Sequence, residues 1–322
     1  MPKMVKLLIT GGCGFIGREV TRQAVEAGHK VRVADNLSKP GSNINLPVEF
    51  LKYDLTDSGI TEKAFKDIDV CIHLAAKIGG IGYFHKFPAT ILSDNNKIYS
   101  SVFESAAKAK IKQLIYISSS MVFESAVKFP SKEDDVMKVP PPVTSYGFSK
   151  LAGEWYCSAF KHEHNLNYTI IRPFNAYGTN EEPGSEVGDS HVIPDIMKKI
   201  LIDKQYPVEI LGSGAQTRCF THVRDIASAI LLCVNNPKAK NESFNVSNSK
   251  EIKIIDLIKM IFELSSPDKK FKVKHMPAFQ HDIKRRVPDV SKIKKVLGWS
   301  AKTSLESGLR ETLAWFKKTH LK

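Results

Sequence analysis

One pair of residues in this chain has the types and the spacing to move a proton. Tyr146 and Lys150, in TSYGFSK, are four positions apart, so on a helix they share a face, with the lysine one turn on. A phenol ionises near pH ~10 in water, and to take a proton from an alcohol at neutral pH it needs a neighbouring cation that stabilises phenolate. Lys150 supplies that charge. Ser118, Ser119 and Ser120 end the apolar run QLIYISSS, where a hydroxyl could hold a substrate oxygen beside the phenol. Taken alone, the tyrosine and lysine fit a catalytic centre and an ordinary helix surface equally well.

The elements that would position them follow from the periodicity. KMVKLLIT reads as a strand that stops at GGCGFIG, and REVTRQAVEAG as a helix that ends on Gly28. KVRVADN, VEFLKYDLTD and DVCIHLAA are three further strands, and KIYSSVFESAAKAKI is a helix feeding the fifth strand, QLIYISS. A polar, proline-rich loop runs over 129–142, followed by the long helix SYGFSKLAGEWYCSAFKHEHN and the strand LNYTIIRPFNAYG. Strands alternating with helices at this spacing predict an α/β fold with a doubly wound parallel sheet, because each crossover returns the chain to the same sheet. The expected organisation is a larger domain over 1–174, receiving segments near 215–248. A smaller, partly interleaved lobe over 175–322 would contain the helices SHVIPDIMKKIL and SLESGLRETLAWF.

Composition excludes several classes. With 322 residues, 42% of them hydrophobic and 25% charged, the chain reads as globular, neither disordered nor fibrous. No apolar run approaches the roughly 20 residues of a membrane span, and MPKMVKLLIT leads into a glycine turn, not a signal-peptide cleavage region. The five cysteines form no CxxC pair and no metal-ligand cluster, which points to a reducing cytoplasm without a metal or disulfide framework. The net charge of +13 suits an anionic partner: nucleic acid, a membrane surface or a phosphorylated small molecule. The late basic runs DKKFKVKH and SKIKK alternate with apolar positions, as solvated faces do.

The glycine turn narrows this choice. Gly11, Gly14 and Gly17 lie three apart between a strand and a helix. The first two permit a tight turn and close approach to a pyrophosphate, and the third lets helix and strand pack closely. Asp35 ends the second strand eighteen residues after Gly17, placed to hydrogen-bond an adenosine ribose. A carboxylate there repels a 2′-phosphate, which favours NAD over NADP, with Lys39 nearby as the opposing feature. Asp54 could meet the adenine amino group or cap the next helix. Leu74, Ala75 and Ala76 are small enough to pass beside a dinucleotide. Asn95 and Asn96 are both candidates for a helix cap or a site residue.

GGCGFIG, Asp35, LAA, ISSS and YGFSK together resemble the extended short-chain dehydrogenase/reductase family, in particular its NAD-dependent nucleotide-sugar epimerases and dehydratases of the UDP-glucose 4-epimerase kind. The resemblance continues through RPFNAYG, SHVIP, GSGAQTRCFTHVRDIA and SKIKKVLGW, and so covers nearly the whole chain. It implies a Rossmann-type fold with Tyr146 as base, Lys150 as its activator and ribose ligand, and Ser119 as hydroxyl partner. Cofactor contacts are implied at Gly11, Gly14, Phe15, Ile16, Gly17, Asp35, Asn36, Asp54, Leu55, Leu74, Ala75, Ala76 and Pro173. Substrate contacts are implied at Ser120, Asn175 and Arg218, and at one of Arg285 or Arg286, with Arg285 taken first. His191 could touch substrate or cap a helix. The resemblance further implies a homodimer formed through the helices containing SSVFESAAKA and YGFSKLAGEW, with no nucleic acid or membrane partner.

Departures from the family pattern set the expected reaction. Family dehydratases carry an Asp-Glu pair where this chain has Ser120 and Met121, so elimination of water is disfavoured. AAKIGGIGYF resembles the 3,5-epimerases of GDP-sugars and the epimerase-reductases of fucose synthesis, but those use a cysteine where Met121 stands. Phe123 and Glu124 replace the usual Tyr-Gly. The expectation is an NAD-dependent nucleotide-sugar 4-epimerase. The alternatives are a GDP-sugar 3,5-epimerase or 4-ketoreductase and, from another class, a cofactor-sensing or RNA-binding protein.

Overall fold

The computed structural model describes residues 4–39, 41–185, 190–278 and 283–321. The chain runs through β1 (Lys6–Thr10), α1 (Phe15–Glu26), β2 (Lys30–Asp35), β3 (Glu49–Lys52), α2 (Ser58–Ala64), β4 (Val70–His73), α3 (Ile81–Lys86), α4 (Pro88–Lys108) and β5 (Gln113–Ile117). Short 3₁₀ turns at Ser120–Phe123 and Glu133–Met137 lead to α5 (Ser145–His164), β6 (Tyr168–Pro173) and β7 (Ala176–Tyr177). Then come α6 (Val192–Leu201), β8 (Val208–Leu211), β9 (Thr217–Cys219), β10 (Thr221–His222), α7 (Val223–Leu232) and β11 (Glu242–Val246). The last elements are β12 (Glu251–Lys253), α8 (Ile254–Ser265), β13 (Val273–Met276), β14 (Arg285–Arg286), α9 (Ser291–Leu297) and α10 (Leu305–His320).

The expected doubly wound sheet is present: seven strands in the order β11-β6-β5-β4-β1-β2-β3, every pairing parallel. Its central strands β1, β4 and β5 are buried along nearly their whole length because helices cover both faces. In β1, Leu7 and Ile9 point into a core with Val20 and Ala24 of α1 and Ile226 and Ile230 of α7. Leu8, between them, points the other way, toward Tyr99, Val102 and Phe103 of α4. The alternating direction of strand side chains therefore assigns one helix layer to each face. A separate core packs α6, β8, α8 and α10 around Ile196, Leu257, Ile261 and Phe316.

The fourth helix begins earlier than its apolar periodicity suggests. Pro88 stands in its first turn, where the missing N–H costs nothing and the fixed φ favours helix. Ile91 and Asn95, one turn apart, are both completely buried. The sheet order reverses between β1 and β4, and this switch point leaves a crevice at the carboxyl ends of the strands. Among the described residues, no helix is long and apolar enough to cross a membrane.

Candidate active site

The glycine turn after β1 is built by exclusion of side chains. Gly11 has φ +69, and a Cβ there would meet the Ala75 nitrogen at 2.7 Å; a Cβ on Gly17 would meet the Gly11 oxygen at 2.0 Å. Gly14 is the N-cap of α1 and contributes no side-chain cap, so the first-turn N–H groups, including those of Phe15 and Ile16, stay available to an anion at the positive end of the helix. A Cβ on Gly14 would have the Gly11 oxygen, at 3.4 Å, as its nearest neighbour. This cradle fits a dinucleotide pyrophosphate.

Asp35 ends β2 and ties the cradle together. Its carboxylate accepts from the Cys13 N–H at 3.0 Å and from the Leu37 N–H at 2.8 Å. A carboxylate has about four acceptor positions, so two remain for ribose hydroxyls. Asp54 is held below its ordinary range, chiefly by the Thr56 N–H, and lies 3.5 Å from the Asn36 amide. It does not cap α2; Asp57 does, accepting from the Ile60 N–H at 3.0 Å. The Leu55 side chain is buried in the core beside Ala34 and Phe65, which leaves only its backbone to a cofactor. Leu74, Ala75 and Ala76 line the exit from β4, half-buried, and Pro173 is the last residue of β6.

The choice between Asn95 and Asn96 falls on Asn95, which sits in the middle of α4 and caps nothing. Its amide oxygen accepts from the Lys77 N–H at 2.6 Å, and its NH₂ donates to the Lys77 oxygen and the Ser149 hydroxyl. The residue therefore pins the loop after β4 to α5.

α5 presents Tyr146, Lys150 and Glu154 in successive turns, all buried. The Tyr146 ring stacks on Phe84 with centroids 4.5 Å apart. Burial pushes its phenol up, opposed by a hydrogen bond with Ser119 and by the charge of Arg286. Lys150 Nζ donates to the Ile117 carbonyl at 2.8 Å and lies 6.0 Å from the Tyr146 ring centre. Burial lowers its ammonium from 10.5 to about 7, opposed by Glu154. Tyrosine, lysine and serine thus meet at the carboxyl end of β5, as their spacing predicts.

The three serines have different partners. Ser118 donates to Glu154 at 2.5 Å. Ser119 caps the turn at Ser120–Phe123 and bonds Tyr146. Ser120 lies 3.4 Å from an Arg286 nitrogen. Glu154 also grips Arg172 of β6 through two bonds at 2.8 and 2.7 Å. Sequence reasoning missed this buried pair and the Phe84 platform. Glu154 carried a signal, since it follows Tyr146 and Lys150 at the same four-residue step.

Arg285 requires a correction. Its guanidinium is exposed and grips Glu251 through bonds at 2.8 and 2.9 Å. Arg286, the next residue, points the other way, as neighbours on a strand must, and donates to the Met121 sulfur at 2.9 Å. In the parallel pairing of β14 with β9, Arg286 stands opposite Arg218, so the two arginines share a face. Asn175, at φ 39, donates to the Cys219 carbonyl at 2.9 Å and so steadies the strand that carries Arg218. His191 occupies the N-cap position of α6 without a side-chain cap, and its ring pairs with Glu181.

Comparison with known proteins identifies the family. Residues 7–247 match the model of the NAD dependent epimerase/dehydratase family. The crystal structure of UDP-glucose 4-epimerase with UDP-glucose from Thermotoga maritima superposes with a TM-score of 0.88 at 30% identity, covering 98% of this chain and 100% of that one. The chain is also 29% identical to a UDP-N-acetyl-alpha-D-glucosaminuronate decarboxylase of Bacillus cytotoxicus, over 97% of this chain and 98% of that one. Against a GDP-L-fucose synthase of Azorhizobium caulinodans the identity is 27%, over 98% and 97%. These relatives perform different reactions, so the likeness establishes the family and its NAD chemistry without choosing the reaction. The chain is a member of the NAD-dependent epimerase/dehydratase family.

Proposed function

We propose that the protein is a nucleotide-sugar 4-epimerase, and the observation that supports this is the turn facing Tyr146. Ser120 and Met121 form it, against Arg286. Dehydration needs a second acid and base at this place, and 3,5-epimerisation a group able to take a proton from carbon. A hydroxyl and a thioether provide neither at neutral pH. A 4-epimerisation needs only one proton-transfer group, which Tyr146 supplies.

In this reading Tyr146, as phenolate, takes the proton of the sugar 4-hydroxyl while Ser119 holds that oxygen. The 4-keto sugar turns about its diphosphate linkage to present its opposite face, and Tyr146 returns the proton to the 4-oxygen. NAD, when bound, would supply hydride exchange at sugar C4. Lys150 in its charged form, 6.0 Å from the Tyr146 ring centre, would favour phenolate. Arg218 and Arg286, side by side, suit the paired oxygens of a diphosphate, and the lobe beyond residue 174 would hold the nucleotide. A positioned base of this kind contributes roughly 10²- to 10⁴-fold.

Incubation with a panel of UDP- and GDP-hexoses, with products separated and weighed by mass spectrometry, tests the reading. A 4-epimer without deuterium uptake from heavy water supports it. Absence of any 4-epimer, or unchanged turnover in Tyr146→Phe, would refute it. The His191–Glu181 pair favours a second reading, a 4-ketoreductase or 3,5-epimerase of a GDP-sugar, since a carboxylate-held imidazole can relay a proton. Deuterium appearing at C3 or C5 would select carbon-acid epimerisation.

The same reading makes the protein a cytoplasmic homodimer without a nucleic acid partner. Trp155 and Phe148 are 58% and 46% exposed on α5, beside Leu151, Ala152, Tyr156 and Ala159, a face suited to a second copy. Trp155→Glu should give a monomer by light scattering, and an unchanged mass would sink the dimer. All five cysteines are free and buried, which suits a reducing compartment. The excess positive charge is assigned to anionic sugar nucleotides.

A further inference from the structure

Glu124 stands where the family pattern has glycine, and nothing described so far uses its charge. It follows the turn at Ser120–Phe123, donating its N–H to the Met121 carbonyl at 3.1 Å. One carboxylate oxygen of Glu124 accepts both the N–H and the hydroxyl of Thr144, each at 2.9 Å. Thr144 is the N-cap of α5, and its hydroxyl oxygen accepts from the Gly147 N–H at 3.1 Å. A hydroxyl has one proton and two acceptor positions. Giving the proton to Glu124 turns the acceptor side toward the helix.

A second, independent observation concerns Gly147, the residue after Tyr146. A Cβ there would lie 2.7 Å from Pro142, 2.9 Å from the Met121 carbonyl and 3.1 Å from the Glu124 carboxylate. The start of α5 therefore presses against the serine turn with no room for a side chain. The carboxylate also lies at the helix N-terminus, where negative charge is favoured.

We propose that Glu124 is a positioning residue: by clamping Thr144 it sets the distance between the Ser119 hydroxyl and the Tyr146 phenol. The proposal rests on Tyr146 acting as the acid/base. A misplacement of about 1 Å in such a centre can lower turnover by about 10²-fold.

The test compares wild type, Glu124→Ala, Glu124→Gln, Glu124→Asp and Tyr146→Phe, each with turnover normalised to bound NAD. Glutamine keeps an oxygen able to accept both Thr144 bonds, whereas aspartate keeps the charge but withdraws it by one methylene. Glu124→Ala should lower kcat by about 10- to 100-fold with KM nearly unchanged, and should move the rising limb of the kcat profile to higher pH. Glu124→Gln should restore both. Glu124→Asp should show a smaller loss in the same direction, and it carries the test if the alanine variant fails to fold. Ionisation of Tyr146, read without any sugar from ultraviolet difference spectra against the matching Tyr146→Phe protein, should move to higher pH in Glu124→Ala. Wild-type kcat and an unshifted phenol in Glu124→Ala, or a glutamine variant as impaired as alanine, would overturn the clamp. Activity retained in Tyr146→Phe would instead overturn the catalytic reading beneath it.

Discussion

Lys150 holds a charge where the fold disfavours one, and replacing it should separate stability from function. Its side chain is 4% exposed, and burial lowers the ammonium from 10.5 to about 7. At roughly 1.36 kcal/mol for each tenfold in proton affinity, that fall sets about 5 kcal/mol against the fully charged form. At pH 7, where the native side chain is half neutral, the fold forgoes about 4 kcal/mol relative to a lysine left in solvent. Lys150→Met removes this penalty together with the bond to the Ile117 carbonyl, which offsets about 1–2 kcal/mol. The expected net gain is about 2–3 kcal/mol at pH 7, with turnover abolished, a direct trade of stability against activity. The pH dependence gives the prediction its sign. Between about 7 and 10.5 the unfolded chain keeps a proton that the native state has released, so unfolding takes up a proton and wild-type stability rises with pH through that window. The advantage of the methionine variant is therefore greatest at and below neutral pH and fades toward about pH 10. Urea unfolding of both proteins across that range measures the difference directly. A variant less stable than wild type at pH 7, or a difference flat with pH, would refute the argument.

Three further outcomes follow from the geometry. Gly17→Ala places a methyl 2.0 Å from the Gly11 oxygen, so the turn must open and the purified protein should lose bound NAD; retention of a full complement contradicts the cradle. Arg286→Ala should raise KM for the sugar nucleotide by about tenfold or more, from the loss of charge-assisted bonds worth about 1.5–3 kcal/mol. Arg285→Ala, which removes a partner of Glu251 and a cation over the Phe129 ring, should leave KM close to wild type, and equal effects in steady-state kinetics would reject the assignment. Glu154→Ala leaves the Arg172 guanidinium, 2% exposed, without its carboxylate and should cost about 3–5 kcal/mol in denaturant unfolding; a loss below about 1 kcal/mol, the size of an exposed pair, would show that the pair is not isolated from water.

The features legible in the sequence are those whose parts lie within one strand and one turn. The glycine spacing, the aspartate closing the second strand and the tyrosine one turn before its lysine are each local, so their meaning depends on backbone geometry that a short segment already dictates. The strand-helix rhythm gave the parallel sheet for the same reason, because a crossover has few ways to return. Pro88 shows the limit: apolar periodicity placed the start of α4 too late, since a helix start rests on single residues more than on a repeating pattern.

Other assignments depended on contacts distant in sequence. Neither Asn95 nor Asn96 is distinguishable by type, and only the packing of α4 against the loop after β4 and against Ser149 shows that Asn95 is the one buried and bonded. Glu154 and Arg172 are eighteen residues apart and meet only because α5 lies along β6.

By itself the sequence determined the parallel sheet, and it placed the glycine turn and the tyrosine, lysine and serine as candidates, all through local backbone geometry and periodicity. Tertiary structure alone showed that, of two adjacent arginines, Arg286 is the one that meets Ser120 and Met121. Successive strand residues point to opposite sides, and the side that matters depends on β14 pairing with β9. It also decided what Glu124 does, since the bond to Thr144 spans twenty residues of loop that no periodicity describes.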